Sequence, residues 1–105
     1  MNLTIAFKHM NSSDSLKSFV EEKSETLKRY FHGNISVKWT LSIEKKDHIA
    51  HCHVMGNHMD YFGEAVSEEI KASIDLAIDK IEKQIRKHKE IVKDHLHHKA
   101  RVTTE

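Results

Sequence analysis

The stretch Ile35–Glu44, which reads I-S-V-K-W-T-L-S-I-E, carries the clearest pattern in the chain. Apolar residues occupy every second position from Ile35 to Ile43, and polar residues fill the positions between them. Because successive side chains of a strand point to opposite faces, this period predicts a β-strand with one buried face and one wet face. The apolar face needs a second layer of structure to cover it.

Weaker patterns on both sides of this stretch predict three more strands and one helix. Residues 2–8 repeat the two-residue period and predict a first strand. Capping side chains at 11–14, followed by apolar residues at helical spacing, predict a helix that stops at Gly33 and Asn34. Two shorter strands are predicted at Ile49–Met55 and about Tyr61–Val66, joined by a turn at Gly56-Asn57.

A long helix is predicted at the carboxyl end, opening with Ser67, Glu68, Glu69 and Ile70. One apolar stripe runs along it at a period of roughly 3.6 residues. The members of this stripe are Ile70, Ile74, Ile78, Ile81, Ile85, Val92 and Leu96. Acidic residues begin the helix and basic residues end it, which is the polarity that the helix dipole favours.

The predicted order is therefore β-α-β-β-β-α, and the fold class is α+β. A two-layer sandwich, with a four-stranded mixed sheet and two helices on one face, buries every apolar face and stripe. A right-handed crossover makes the first two strands parallel neighbours and leaves the other sheet face open. We expect one domain at residues 1–95 and a short, flexible tail at 96–105.

The composition excludes several classes of protein. The chain has 105 residues, with 38% hydrophobic and 31% charged, and a mean hydropathy of −0.61, which is typical of a globular protein. We recognise no bilayer-spanning stretch or signal peptide, and therefore expect a cytoplasmic protein with no membrane partner. The lone Cys52 excludes an intramolecular disulfide and a Cys-based zinc site.

The distribution of charge points to a phosphate-bearing partner. The formal net charge is only +1, but residues 80–101 contain eight Lys or Arg against three acids. A basic block of this kind is expected for phosphate contact, although a solvated helix face looks similar. On that plainer interpretation, four-residue spacing predicts salt bridges from Asp79 to Lys83 and from Glu82 to Arg86.

Lys23 is the basic residue of the first helix that stands out. It falls inside the apolar sector of that helix, so we expect its ammonium to emerge near the groove between the two helices. Together with the bases of the second helix it would form a compact positive surface. Such a surface suits backbone phosphates and carries little sequence information.

The histidines offer a different interpretation. Four of the ten histidines cluster around Cys52: His48, His51, His53 and His58. His51 and His53 point to one face of a predicted strand, as metal-binding His-x-His pairs do, but no carboxylate is fixed at ligand spacing. We expect Cys52 to be a core residue, since adjacent strand residues face opposite ways and form no nucleophilic dyad. We recognise no catalytic motif and expect neither an enzyme nor a cofactor.

The chain resembles a known family, the short form of the bacterial ribosome hibernation promoting factors and ribosome-associated translation inhibitors. The resemblance covers residues 1 to 95. It is carried by Leu16, Phe19-Val20-x-x-Lys23, Leu27-x-x-Tyr30-Phe31, Glu44-Lys45, Ala72-Ser73-Ile74-Asp75, Ile78-Asp79-Lys80-Ile81 and Lys87-His88-Lys89. The family fold is also β-α-β-β-β-α.

The resemblance implies a protein that binds the small ribosomal subunit in the channel for mRNA and the A- and P-site tRNAs. It would silence translation during stress or stationary phase by occupancy, with no small-molecule substrate, and be monomeric off the ribosome. Matching positions imply rRNA contacts for Lys23, Lys45, Lys80, Lys83, Lys87 and Lys89. Lys28 and Arg86 are added on charge alone, and His88 joins them.

The chain departs from the family pattern in two places. Lys71 occupies a position that is usually aromatic, often Tyr, and the middle hairpin is much richer in His and Met. Two alternative functions stay open. The first is a metal-binding protein that uses the strand face of His51 and His53, and the second is a binder of double-stranded RNA.

Overall fold

The computed structural model describes the backbone of residues 1–31, 33–56 and 59–100, and the side chains in these ranges as far as residue 88. The strands are β1 (Asn2–Lys8), β2 (Ser36–Glu44), β3 (Asp47–Gly56) and β4 (Met59–Ser67), and the helices are α1 (Asp14–Glu25), a 3-10 helix (Thr26–Tyr30) and α2 (Ile70–Ala100). This order confirms the predicted α+β architecture.

The four strands form one mixed sheet in the order β1-β2-β3-β4. β1 and β2 are parallel, as the crossover through α1 requires, and the other two pairs are antiparallel. Trp39 lies opposite Ile5 on one side and Cys52 on the other. The register therefore places the buried apolar residues of the strands on one face.

The core lies between that face and the two helices. Trp39 is fully buried and its indole Nε1 donates a hydrogen bond of 2.9 Å to the hydroxyl of Ser24, which is also fully buried. The predicted stripe of α2 supplies Ile74, Ile81 and Ile85 to the same core. None of the helices in the described ranges covers the opposite face, which we call the open face of the sheet.

The first helix is shorter than predicted. It is capped by the Ser13 hydroxyl, which accepts from the N–H of Leu16 at 3.3 Å, and it ends at Glu25 instead of near Gly33. The chain then tightens into the 3-10 helix, where the Thr26 hydroxyl donates to the carbonyl oxygen of Lys23 at 2.7 Å. Side-chain bonds of this type compete with the helical ladder, which explains the change.

Gly63 permits the close approach of α2 to β4. A Cβ atom at this position would lie 2.6 Å from the backbone oxygen of Ala77 and 3.0 Å from the side chain of Ile81. Glycine is the residue that lets a helix pack this tightly on a strand. The identity of one residue thus sets how closely the helical layer covers the sheet.

Parts of the predictions fall outside the described residues. These are the turn residue Asn57, the clustered His58, the side chains of α2 beyond residue 88 and residues 101–105. None of the described helices is long and apolar enough to cross a membrane. The division into a domain at 1–95 and a tail at 96–105 stays a prediction.

Candidate nucleic-acid interface

Nearly all the predicted phosphate-binding residues project from the helical layer. Its two helices lie side by side and run in the same direction, since α1 follows β1, α2 follows β4, and these two strands run parallel to each other. Among the described side chains, two ion pairs connect α2 to the layer's other helical residues. Lys23 of α1 meets Asp75, and Arg29 of the 3-10 helix meets Glu82.

Lys23 emerges between the helices, as predicted from its position in the apolar sector. Its Nζ lies 3.1 Å from a carboxylate oxygen of Asp75 and 5.3 Å from the centroid of the Phe19 ring. Its side chain is 36% exposed, so the ammonium reaches water along an apolar wall. The ring and the carboxylate hold the ammonium at the mouth of the groove.

Lys71 is a second cation at this groove. Its Nζ also lies 5.3 Å from the centroid of the Phe19 ring, on which Lys23 already lies. The family resemblance implies an aromatic residue at this position, and Lys71 departs from that pattern. The departure exchanges an aromatic residue for a positive charge beside Lys23.

Glu82 has a different partner from the one predicted. Its carboxylate accepts from Arg29 of the 3-10 helix at 3.4 Å, so the predicted bridge from Glu82 to Arg86 is wrong. Arg29 lies 53 residues away in sequence, and a spacing rule within one helix does not consider it. A hydrogen bond to the Tyr30 hydroxyl, reinforced by Glu82, raises the pKa of Arg29.

Two other lysines of the predicted set form exposed ion pairs within their own helices. Lys83 lies 3.2 Å from Asp79, which confirms that predicted bridge, and Lys28 lies 3.2 Å from Glu25. Exposed pairs contribute little to stability and are screened by salt. Each ammonium can therefore exchange its carboxylate for a phosphate oxygen at small cost.

Lys80 is directed at the edge of the sheet. Its Nζ donates to the backbone oxygen of Glu64 at 2.6 Å, and Gln84 donates similarly to the backbone oxygen of Phe62. These two side chains cover outward carbonyl groups of β4, an edge strand that would otherwise be open to pairing. Phosphate binding by Lys80 has to compete with this bond.

Arg86 and Lys87 are two cations of α2 that are available to a ligand. Both are exposed, and neither forms an ion pair with any other residue whose side chain the structure describes. His88 follows them, with its ring edge-on to Tyr61 at 6.3 Å between centroids, and burial raises the pKa of Tyr61. The side chain of Lys89 lies outside the described residues.

Lys45 lies at the far end of the molecule from these residues. It occupies the β2–β3 turn in the left-handed region with φ 59°, at the end of the sheet where α2 begins. Lys87 is seventeen residues into α2, about 25 Å along the helix axis. The predicted residues thus form a long band with interleaved acids, and the expected compact positive surface is corrected in this respect.

Strand β3, which carries His51 and His53, has the predicted orientation, but a carboxylate also lies near these two histidines. His51 and His53 share the open face, while Cys52 points into the core, fully buried, where desolvation raises its pKa from 9.0 to about 12. A carboxylate does reach this pair, since Asp60 lies 2.8 Å from Nε2 of His53, contrary to expectation. Among the side chains that the structure describes, no three potential ligands lie close enough together to hold a metal ion.

The acids of the groove were not identified from the sequence. Asp75 and Glu82 are seven residues apart and so project from the same side of α2. That spacing could have indicated a partner for the bases of α1. The helical layer as a whole can bind a polyanion through exposed and exchangeable cations.

The chain is similar to known proteins in both sequence and structure. Residues 3–93 match the family described as sigma 54 modulation protein / S30EA ribosomal protein. A ribosome hibernation promoting factor from Azotobacter vinelandii is 37% identical over 92 residues, which are 86% of this chain and 84% of that protein. Another from Escherichia coli K12 is 30% identical over 95 residues, 90% of this chain and 100% of that protein. The crystal structure of the Thermus thermophilus Protein Y N-terminal domain superposes with a TM-score of 0.79 at 27% identity, covering 84% of this chain and 99% of that one.

Proposed function

This chain belongs to the family described as sigma 54 modulation protein / S30EA ribosomal protein, and we propose that it is a ribosome-binding translation inhibitor of the hibernation type. It would bind the small ribosomal subunit and its rRNA in the cytoplasm, and occupy the channel for mRNA and the A- and P-site tRNAs. The match over residues 3–93 to a family with relatives named ribosome hibernation promoting factor carries this proposal.

The charge geometry of the helical layer supports an rRNA partner. Arg86 and Lys87 project into solvent, and Lys23, Lys28 and Lys83 hold ion pairs that are at least a third exposed. On contact with rRNA, such cations exchange carboxylate and solution counterions for phosphate oxygens. Binding would therefore depend steeply on salt and weakly on base sequence.

Inhibition by occupancy follows from the same geometry. The band of cations extends along the helical layer, so several phosphates can be contacted at once without any group that reacts. A rigid domain held in this way excludes mRNA and tRNA from the space it fills. Inhibition would last as long as the domain stays bound and would consume no substrate.

The proposal is tested by sedimenting the purified chain with small subunits, large subunits and intact ribosomes over a series of salt concentrations. We expect it in the small-subunit pellet, with release by rising salt and by added mRNA and tRNA. The double variant Arg86→Gln and Lys87→Gln removes two exposed cations that form no ion pair with any other described side chain. Its control is Lys8→Gln with Lys17→Gln, an equal change of charge at exposed positions outside the predicted set.

The variant and its control separate specific contacts from net charge. Loss of two phosphate contacts should weaken binding and flatten the salt dependence by roughly two units in the slope of log K against log salt. The control should change both quantities much less. Equal losses in the two variants would contradict the assignment of the interface, and no small-subunit binding at low salt would contradict the function.

A further inference from the structure

The open face of the sheet carries an aromatic pair that the proposed function does not use. The rings of His53 and Phe62 are stacked, with centroids 4.0 Å apart and an interplanar angle of 14°. The ring of His51 lies 6.0 Å from that of Phe62. Phe62 nevertheless stays 51% exposed, so the stack presents a large part of one aromatic ring to solvent.

We propose that this aromatic pair is a stacking platform for an unpaired base of single-stranded RNA. Bases stack on exposed aromatic rings without regard to sequence, and four-stranded sheets with one bare face are a recurring support for such contacts. The His53–Phe62 stack is already planar and ordered by its neighbours. Stacking a base on this pair therefore costs little conformational entropy of the protein side chains.

The polar surroundings of the pair are asymmetric in a way that suits a nucleotide. Lys38 is the cross-strand partner of His53, and it is exposed with no ion pair to any residue whose side chain is described. Thr40 is the partner of His51 and offers a hydroxyl on the same face. A phosphate over β2 would meet Lys38 while its base reaches the platform on β3 and β4.

The acids nearest the platform lie on its other side, away from Lys38. Asp60 and Glu64 flank Phe62 along β4, and Asp60 is engaged by Nε2 of His53 at 2.8 Å. Around the platform, the cationic side is therefore β2 and the anionic side is β4. This polarity orients a bound strand of RNA with its backbone away from β4.

The same face is poorly suited to a second copy of the chain. Its exposed large apolar residues are Met55 at 39%, Phe62 at 51% and Val66 at 52%, and polar side chains separate them. A stable dimer needs about 800 Å² of well-packed surface on each partner. A two-fold contact centred on Phe62 would also bring Asp60 and Glu64 near their own copies.

This inference stands apart from the proposed function, because the two use opposite faces of the molecule. It is tested by fluorescence anisotropy of a fluorescein-labelled oligouridylate of eight nucleotides at low salt, with the full chain. Phe62→Leu removes the ring and keeps an apolar side chain. We expect its affinity to fall roughly 5- to 150-fold, the range found when one stacked base loses its aromatic partner.

The matched control is Val66→Ala, which truncates another half-exposed apolar residue on the same strand and face. It should bind the oligouridylate as the parent chain does. Equal affinities for Phe62→Leu and the parent, or no binding by the parent, would overturn the platform. A loss confined to Arg86→Gln with Lys87→Gln would overturn it as well, since the RNA would then lie on the helices.

A second variant reports stacking directly. Phe62→Trp places an indole on the open face, while Trp39 is fully buried and contributes a constant background. Quenching of the new fluorescence by the oligouridylate is the expected result, and unchanged emission overturns the proposal. Sedimentation equilibrium decides between occupants, since a dimer that Phe62→Leu dissolves would assign this face to a second copy.

Discussion

The two faces of the sheet are made by the same strands but follow different rules. On the covered face Trp39, Cys52 and Val54 are fully buried against the helices. On the open face His53 contacts both Asp60 and Phe62, and all three side chains still meet water. Period-two alternation therefore specifies which residues are buried, whereas contacts between the exposed residues depend on how the strands pair.

Gly63→Ala is expected to have the largest effect on this difference. Its new Cβ would lie 2.6 Å from the Ala77 carbonyl oxygen on the covered face, so α2 has to move away from β4. Overpacking of this kind costs about 1–3 kcal/mol of the free energy of unfolding. Urea denaturation measures this loss of stability. The control is Phe62→Ala, which changes the adjacent residue on the open face. A smaller loss of stability for Gly63→Ala than for Phe62→Ala would contradict the tighter packing of the covered face.

Ser24→Ala tests the one polar contact of the covered face that involves Trp39. The substitution leaves the indole N–H of a fully buried side chain without its acceptor, which costs about 1–3 kcal/mol. Denaturation followed by tryptophan fluorescence measures the loss. Ser18→Ala, at an exposed position of the same helix, should change stability by less than about 0.5 kcal/mol. Similar values for the two variants would show that the hydrogen bond contributes nothing.

The thiol of Cys52 gives a pH-dependent test of the covered face. Burial raises its pKa from 9.0 to about 12, so between these values the unfolded chain loses the proton and the folded chain keeps it. Stability from this group is complete below pH 9 and falls as the pH rises toward 12. Denaturation at pH 8 and 10.5 should show a smaller decline for Cys52→Ala than for the parent. Rapid thiol labelling of the native chain at pH 8 would contradict the burial.

Asp75→Asn is expected to have the smallest effect on stability. The pair with Lys23 is partly exposed on both sides, so its loss should cost less than about 1 kcal/mol. Ribosome binding should nevertheless tighten, because Lys23 is freed and one negative charge leaves the groove. Sedimentation at moderate salt measures this change, with Glu22→Gln at an exposed position of α1 as the control. Weaker binding by Asp75→Asn would show that the acid orients Lys23 for contact.

Much of the fold could be predicted because it depends on local periodicity. The alternation at 35–44 and the stripe of α2 each identify a buried side, and burying all of them requires the two-layer sandwich. The end of α1 could not be predicted, because the Thr26 hydroxyl bond to Lys23 competes with the helix only in the folded geometry. The candidate site was predicted by residue type and resemblance, and sequence spacing identified the partner of Lys83 but not the partners of Lys23 and Arg29.

The amino-acid sequence by itself determined the order of elements, the buried face of each strand, the emergence of Lys23 and the core position of Cys52, because these depend on side-chain direction over a few residues. Only the tertiary structure decided that Glu82 pairs with Arg29, that Asp75 pairs with Lys23, and that His53 stacks on Phe62. Each of these contacts joins two different elements. Their geometry is set by helix packing and strand register, which no local pattern encodes.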